Sequence, residues 1–385
     1  MVARNGGPAF VVRDIAFAVQ PYGIRSTILT TNASNPAQAA TPSAGATISD
    51  FPEGCEHLEI AIASLRQPYR FAFSPDLLVK AWRLAEEADV IHIHSLNLFP
   101  QLAAFLAATS RRKPFIVTPH GALDPWITAR HSRIKHLNNA VWQQRMLRRA
   151  ARLHFTTEAE AALATSQGVD TPTEILPIGS SSDHLWVEAS GSDFRKQWLP
   201  GFTGPLILNH GRLSEKKGLD VLIEGFAQLK QPNVQLALVG PDEEGYGERL
   251  RALAASLGVI DRVAIVPPLT GPSLGSAILA ADIWALPSHT ENFGLSVVEA
   301  MAAKRAVVIS PHVNLAADAL AAGAAIVVNN TPEDFAREFS YLLADAPRRT
   351  ELGERAASFA QRYRWESLGE RYAQMYQSVA RGGSR

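Results

Sequence analysis

Two glutamates, Glu291 and Glu299, and the glycine-bearing turn between them are the residues best suited to hold a polar ligand. A carboxylate accepts hydrogen bonds at both oxygens, so each is a natural receptor for a pair of neighbouring hydroxyls. The chain around them runs from an apolar segment at 283–286 into a polar stretch at 288–292. Gly294 and an Ala/Val/Leu-rich segment that reads as a helix follow. Strand, glycine turn and helix in that order put main-chain N–H groups and a positive helix end at the carboxyl edge of a sheet. That geometry binds phosphate. Taken alone, the pair also suits a surface loop with a solvated glutamate and an ordinary amphipathic helix.

A second segment repeats the pattern. Residues 206–218 read Leu-Ile-Leu-Asn-His-Gly-Arg-Leu-Ser-Glu-Lys-Lys-Gly, an apolar strand followed by a glycine turn and a helix. Arg212 and Lys217 project from this turn, where a second phosphate contact would sit; the competing reading is a solvated basic turn. Further upstream, Pro119-His120-Gly121 follows an apolar strand at 115–118.

The Glu291/Glu299 pair has the spacing E-x7-E, with Asn-Phe-Gly after the first glutamate. With the Gly-Arg…Lys-Gly turn, Val239-Gly240-Pro241-Asp242 and the His-Gly turn, it makes the chain resemble the retaining family-4 glycosyltransferases. Order and spacing jointly carry the resemblance, which runs from Gly6 to the last helix. It implies a GT-B architecture: two Rossmann-like, doubly wound parallel-sheet α/β domains facing a cleft, with a C-terminal helix crossing back to the first. Residues 1–179 would bind the acceptor, 180–364 the nucleotide sugar, and 365–385 would be the returning helix. Glu299 would hold the ribose hydroxyls and Glu291 the donor-sugar hydroxyls. Asn292, Phe293 and Gly294, with Leu295 beside them, would present main-chain amides to sugar or phosphate. His120 would lie near the anomeric carbon and position the sugar. Gly6 and Gly7 would line the phosphate and acceptor side, and the base would rest on the loops carrying Gly240 and Leu269. Both Glu291 and Lys217 are expected to stand solvated in the cleft.

Breaking a nucleotide–sugar bond requires neutralising the charge that develops on the departing diphosphate. The chain contains no Asp-x-Asp with which to hold a metal for that purpose. Arg212, Lys217 and the helix end after Gly294 are a metal-free substitute. The expectation is therefore a retaining, metal-independent transferase with no cofactor beyond its nucleotide-diphosphate sugar, acting on a saccharide or lipid-linked saccharide. The alternatives are a nucleotide-sugar epimerase or sugar phosphorylase on the same fold, or a non-catalytic sugar-nucleotide-binding subunit.

The elements that must position these residues follow from length and pattern. At 385 residues the chain exceeds one ordinary core, so two domains are expected. Lys+Arg and Asp+Glu both number 37, which gives no basic character to suggest nucleic acid. Cys55 is the single cysteine, so no intrachain disulfide forms, as suits a cytoplasmic protein. Apolar strands are expected at 25–31, 57–61, 90–94, 115–118, 152–155 and 174–176, then at 205–210, 234–239, 263–266, 283–286, 306–309 and 325–328. Helices between them demand parallel sheets with right-handed crossovers. His92, inside its strand, reads as a core residue; His94, at the strand's end, is not counted among the site residues. Helices are read at 76–87, 134–150, 158–165 and 365–380, the last with Leu368, Tyr372, Met375 and Tyr376 on one stripe.

Two further expectations concern the first half. In the resembled family a buried strand precedes the Gly6-Gly7 turn, and residues 1–5 are too few and too polar to supply it, so a short apolar strand is expected upstream of Met1. Between Pro125 and Thr157 there are seven Lys or Arg residues (130, 133, 135, 145, 148, 149 and 152) and no acid. With Ile134, Leu137, Val141, Trp142 and Leu147 interleaved, they read either as a helix packed on the sheet with a solvated basic edge or as a docking face for an anionic membrane. The second reading suits a polyprenyl-diphosphate-linked acceptor at the inner face of the cell membrane.

Overall fold

The structure, a computed structural model, describes residues 7–32, 58–67, 71–125, 137–180, 182–243 and 245–382. It divides into one unit made of Met1–Gly179 with Trp365–Arg385 and a second made of Ser180–Arg364. Among the described residues no helix is long and apolar enough to cross a membrane.

The first unit runs α1 (Gly7–Ala18), β1 (Ser26–Thr31), β2 (Leu58–Ala63), α2 (Pro75–Glu87), β3 (Ile91–His94), α3 (Phe99–Ser110), β4 (Phe115–Thr118), α4 (Gln144–Arg149), β5 (Arg152–Phe155), α5 (Glu158–Ser166) and β6 (Thr173–Ile175). Local chemistry marks the helix starts. Ser74 accepts from the Leu77 amide at 3.1 Å with Pro75 behind it, and Thr157 accepts from the Glu160 amide at 3.2 Å. The strands form two parallel sheets, β1-β2 and β3-β4-β5-β6. β4 is buried along its whole length, as a short continuous apolar run in a parallel sheet should be.

The expected single helix at 134–150 is only partly as read. Residues 126–136 lie outside the described residues, and α4 is entered through a π-helical stretch, Asn139–Gln143. The wider turn suits a side-chain pattern of five, since Trp142 and Leu147 are both buried in the core with Met146. Leu137 and Val141 are left exposed beside the exposed Arg145, Arg148 and Arg149, while Arg152 is paired with Glu174 at 2.9 Å.

The C-terminal helix, Trp365–Gly382, belongs to this unit and packs on α1. Leu368, Tyr372, Met375 and Val379 form its buried stripe. Tyr372 and Tyr376 also enter a buried polar chain whose directions can be read from its far end. His154 Nε2–H donates to the Leu176 carbonyl at 2.9 Å, so His154 Nδ1 must accept, and it does so from the Thr118 hydroxyl at 2.7 Å. Thr118 in turn accepts from His92 Nε2–H at 2.6 Å, and His92 Nδ1 accepts from the Tyr376 hydroxyl at 2.7 Å. Tyr372 donates to the Pro177 carbonyl at 3.2 Å. His92 is thus a core histidine with both nitrogens satisfied.

The second unit runs α6 (Asp183–Trp186), α7 (Gly191–Trp198), β7 (Leu206–His210), α8 (Leu219–Ala227), β8 (Gln235–Val239), α9 (Tyr246–Ser256), β9 (Val263–Val266), α10 (Gly271–Ala280), β10 (Ile283–Leu286), α11 (Leu295–Ala302), β11 (Ala306–Ile309), α12 (Ala316–Ala321), β12 (Ile326–Val327), α13 (Pro332–Ala344) and α14 (Ala346–Ala360). Its six strands are all parallel in the order β12-β11-β10-β7-β8-β9. β7, β10 and β11 are buried at every residue, which is why residues 206–208, 283–286 and 306–309 read in the sequence as unbroken apolar runs. Successive strands after β7 move to one side and those after β10 to the other. The order therefore reverses between β7 and β10, and ligands of open α/β sheets bind outside the carboxyl ends of such a pair.

Candidate functional site

Both motif turns of the second unit leave the sheet at this reversal, one after β7 and one after β10. Backbone contacts lock them together. Gly218 lies so close to the Pro287 carbonyl that a Cβ there would sit 2.1 Å from its oxygen, and the His289 amide donates to the Lys216 carbonyl at 2.9 Å. The turn after β8 joins from the other side: a Cβ on Gly240 would sit 1.8 Å from the Gly211 oxygen, and Leu213 donates to the Pro241 carbonyl at 2.9 Å. Only glycine fits at 218 and 240, each of which also has positive φ.

Lys217 closes a short 3₁₀ turn, Glu215–Lys217, and folds back over Gly211 to donate to Glu291. The main chain of Glu291 is itself fixed, its amide donating to the His312 carbonyl at 2.9 Å and its carbonyl accepting from Asn314 at 3.0 Å. The Lys217 and Glu291 side chains are each only 13% exposed, so the expectation that both stand separately in solvent is corrected: each neutralises the other. Oppositely charged groups converging on one partly buried turn pair with each other. Burial alone would push the Glu291 carboxyl up. Lys217, Lys216 and Arg212 outweigh it and hold the group down at about 2. Arg212 is likewise engaged rather than projecting alone, donating to Glu243 at 3.1 Å. That pair is over 40% exposed at both ends, so it contributes ~0–1 kcal/mol and gives way easily.

Glu299 projects from α11 toward β7. Trp284 Nε1–H donates to His210 Nδ1 at 2.8 Å, which places the histidine proton on Nε2, and Nε2–H donates to Glu299 Oε2 at 2.8 Å. One carboxylate oxygen is anchored and the other makes no hydrogen bond among the described residues. Glu299→Ala is expected to weaken nucleotide-diphosphate binding at least tenfold while changing kcat less than threefold, read by calorimetric titration beside steady-state kinetics.

The remaining residues singled out by the sequence fall as follows. Gly294, at φ 85°, begins α11 with Leu295 as its first residue, and Asn292 is half-buried. The Phe293 side chain is buried against Tyr363, with ring centroids 5.4 Å apart, so only its backbone is available to a ligand. Leu269 is half-buried in the segment after β9. Gly7 is the first residue of α1, and Gly6 lies outside the described residues.

His120 belongs to the first unit, in the turn after β4. It has φ 54° and Gly121 has φ 75°. Glu160, buried in α5, holds this turn: its carboxylate accepts from the Gly121 amide at 2.6 Å and from the amide and hydroxyl of Thr156 at 3.0 Å each. His94 Nδ1 lies 3.0 Å from His120 Nε2.

The family described as Glycosyl transferases group 1 matches residues 192–359, and the one described as Glycosyl transferase 4-like domain matches residues 6–179. The chain belongs to the group 1 glycosyltransferases. Among relatives of this family member, a D-inositol 3-phosphate glycosyltransferase of Salinispora tropica is 30% identical over 316 residues, or 77% of this chain. The match spans 65% of that relative, just under two thirds of its length. The structure of sucrose-phosphate synthase from Thermosynechococcus elongatus is similar with a TM-score of 0.79 at 20% identity, covering 98% of this chain and 94% of that one. Anabaena Alr3699/HepE, solved in complex with UDP and glucose, has a TM-score of 0.76 at 21% identity, covering 98% of both chains. Likeness at such identity establishes the fold, which is GT-B.

In this glycosyltransferase family member, His210 beside Glu299 in the second unit, and Glu160 and His94 beside the His120 turn in the first, are residues that sequence reasoning did not count. The first and third end apolar strands, and Glu160 sits in an ordinary amphipathic helix. Nothing in their local pattern separates them from core or surface positions.

Proposed function

We propose that the chain is a retaining glycosyltransferase that moves a sugar from a nucleotide-sugar donor to a saccharide or lipid-linked saccharide on the cytoplasmic side of the cell. The observation that carries this reading is the gathering of three cations, Arg212, Lys216 and Lys217, around Glu291 at the strand-order reversal, with the anchored Glu299 in the following helix. A donor diphosphate draws Lys217 and Arg212 off their carboxylates. Arg212 moves at little expense, and Lys217 exchanges one anion for another. Glu291, released, accepts from sugar hydroxyls, and Glu299 offers its unbonded oxygen to the ribose. The complex of the similar HepE fold with UDP-glucose supports this class of donor.

Turnover breaks the bond from the anomeric carbon to the phosphate oxygen. The acceptor oxygen bonds the same carbon on the same face, and its proton passes to the departing phosphate. Glu291, once released by Lys217, is engaged by the sugar hydroxyls and is therefore a poor candidate for a covalent nucleophile, which favours this front-face route. The cations supply the charge stabilisation that a metal supplies elsewhere.

Incubation with UDP-, GDP- and ADP-linked glucose, galactose, mannose and N-acetylglucosamine tests the reading without knowledge of the acceptor. Slow hydrolysis of one donor, unchanged by a strong chelator, is expected. Conversion of the sugar without release of nucleotide would identify an epimerase, and turnover only with inorganic phosphate a phosphorylase. Binding without any chemistry would leave a sugar-nucleotide-binding subunit. Chelator inhibition reversed by magnesium would overturn metal independence.

A lipid-linked acceptor is favoured by the exposed pair Leu137 and Val141 beside the exposed Arg145, Arg148 and Arg149. Each basic residue near an anionic surface adds ~1 kcal/mol. The protein is expected to sediment with phosphatidylserine-containing vesicles at low salt, and an Arg145/Arg148/Arg149→Glu triple variant to remain in the supernatant. If wild type also stays in the supernatant, the acceptor is a soluble one.

A further inference from the structure

We propose that His94 and His120 act as one recognition unit for a sugar hydroxyl, with His94 the positioning residue that fixes the ring and proton of His120. This deepens, and rests on, the reading of His120 as a residue that positions the sugar.

The two rings meet edge to edge in nearly parallel planes, with centroids 5.2 Å apart and planes at 17°, and their Nδ1 and Nε2 atoms are 3.0 Å apart. They reach this arrangement because β3 and β4 are adjacent in parallel register, His94 opposite Thr118, so both turns leave the same sheet edge. Both turns are strained. Ser95, Asn97 and His120 have φ of 71°, 72° and 54°, a left-handed conformation that side chains other than glycine rarely hold. Specific bonds maintain it: the Ser95 amide donates to the Thr118 carbonyl at 2.8 Å, Gln101 Nε2–H to the His94 carbonyl at 2.8 Å, and the Gly121 amide to Glu160. Strain over-determined in this way, at the carboxyl edge of a parallel sheet, is characteristic of ligand-holding positions.

The pairing dictates what the two rings offer a ligand. Burial, with the neighbouring histidines adding to it, keeps both neutral, His94 well below its ordinary range and His120 at about 3. A neutral imidazole carries one N–H, and one proton lies between the rings. If His94 Nδ1–H donates, His120 must carry its own proton on Nδ1 and present a donor. If His120 Nε2–H donates, its Nδ1 presents an acceptor and His94 Nε2 becomes the donor. The pair therefore always offers one donor and one acceptor, and exchanging them shifts two protons, one between the facing nitrogens and one from His120 Nδ1 to His94 Nε2. A hydroxyl, itself both donor and acceptor, matches either state; an ether or a carbonyl matches only one.

The test compares His94→Phe, His94→Asn and His120→Ala in the full chain, using the nucleotide sugar hydrolysed fastest in the panel above. Phenylalanine keeps a planar ring and removes the nitrogen; asparagine places an amide atom near the Nδ1 position. His94→Phe is expected to lower kcat at least tenfold with donor KM changed less than about threefold, and His94→Asn to recover most of that loss. UDP, GDP or ADP affinity should be unchanged in both. In ¹⁵N imidazole spectra at neutral pH the proton of His120 should redistribute between its nitrogens in His94→Phe. Equal impairment of the Phe and Asn variants, with the His120 spectrum unmoved, would reduce His94 to a packing residue and overturn the proposal. A wild-type rate in His120→Ala would instead remove the reading of His120 itself. Impairment there alongside full activity in His94→Phe would refute the role of His94 alone.

Discussion

Lys217→Met is expected to lower the proposed transfer at least a hundredfold and to destabilise the second unit, because one substitution does two things. It removes a cation from the departing diphosphate, a loss of ~3 kcal/mol in barrier height. It also leaves Glu291 as an unpaired carboxylate 13% exposed to solvent, at roughly 2–3 kcal/mol after discounting for that exposure. The two effects separate in the double variant Lys217→Met/Glu291→Gln, which should regain most of the stability and none of the activity. Initial rates and denaturant midpoints on the three proteins are the measurement. Wild-type turnover in Lys217→Met would sink the leaving-group assignment. A midpoint that fails to recover in the double variant would show that the ion pair does not set the stability. The pair also fixes a pH window. With the Glu291 carboxyl at about 2 in the folded protein and near 4.5 when unfolded, its stabilisation is complete above 4.5 and disappears as the pH falls through 2.

A larger acid sensitivity is expected in the first unit, and it begins at higher pH. Burial holds His92 and His94 well below the ordinary histidine value of 6.5, His120 at about 3 and His154 at about 4. The unfolded chain takes up these protons below 6.5 and the folded unit refuses them. Stability is therefore full above 6.5 and declines as the pH falls toward 4 and then 3. For His154, which is fully buried, the difference amounts to ~3 kcal/mol. Hydrogen exchange at the β4 and β5 amides should accelerate between pH 6.5 and 4.5 well before that of β7 and β10. His154→Gln, less stable at neutral pH, should show a shallower pH slope. An identical slope in that variant would exclude His154 as a source of the effect.

How much of this could be read from the sequence depended on whether a residue's partner was local. The strands of the second unit were legible because both faces are buried, which leaves uninterrupted apolar runs such as residues 206–208 and 283–286. The glycine turns were legible because positions 218 and 240 admit no side chain. Contacts distant in sequence were not. His210 meets Glu299 across 89 positions and Glu160 meets Gly121 across 39, and neither pair leaves a periodic trace. The engagement of Lys217 by Glu291, 74 positions away, was hidden for another reason. A lysine and a glutamate that each suit a ligand also suit each other, and motif spacing alone does not say which partner wins when no ligand is bound. The helices α3, α6 and α7 were passed over, the latter two lying beside the change of unit, where short polar segments carry little periodicity.

The C-terminal helix has a bearing on how the chain is made. The second unit is one uninterrupted stretch, whereas the first is completed only by residues that follow it. Tyr376 bonds His92 from 284 positions downstream and Tyr372 bonds His154 from 218. At a synthesis rate of about 5–20 residues per second, β3 waits roughly 15–60 seconds on the ribosome for the tyrosine that closes its polar chain. During that interval the second unit can emerge and fold whole, while the earlier one stays open along the face that the helix will cover. Birth order and completion order are thus reversed, and any factor that shelters nascent chains has its longest engagement with the half that was translated first.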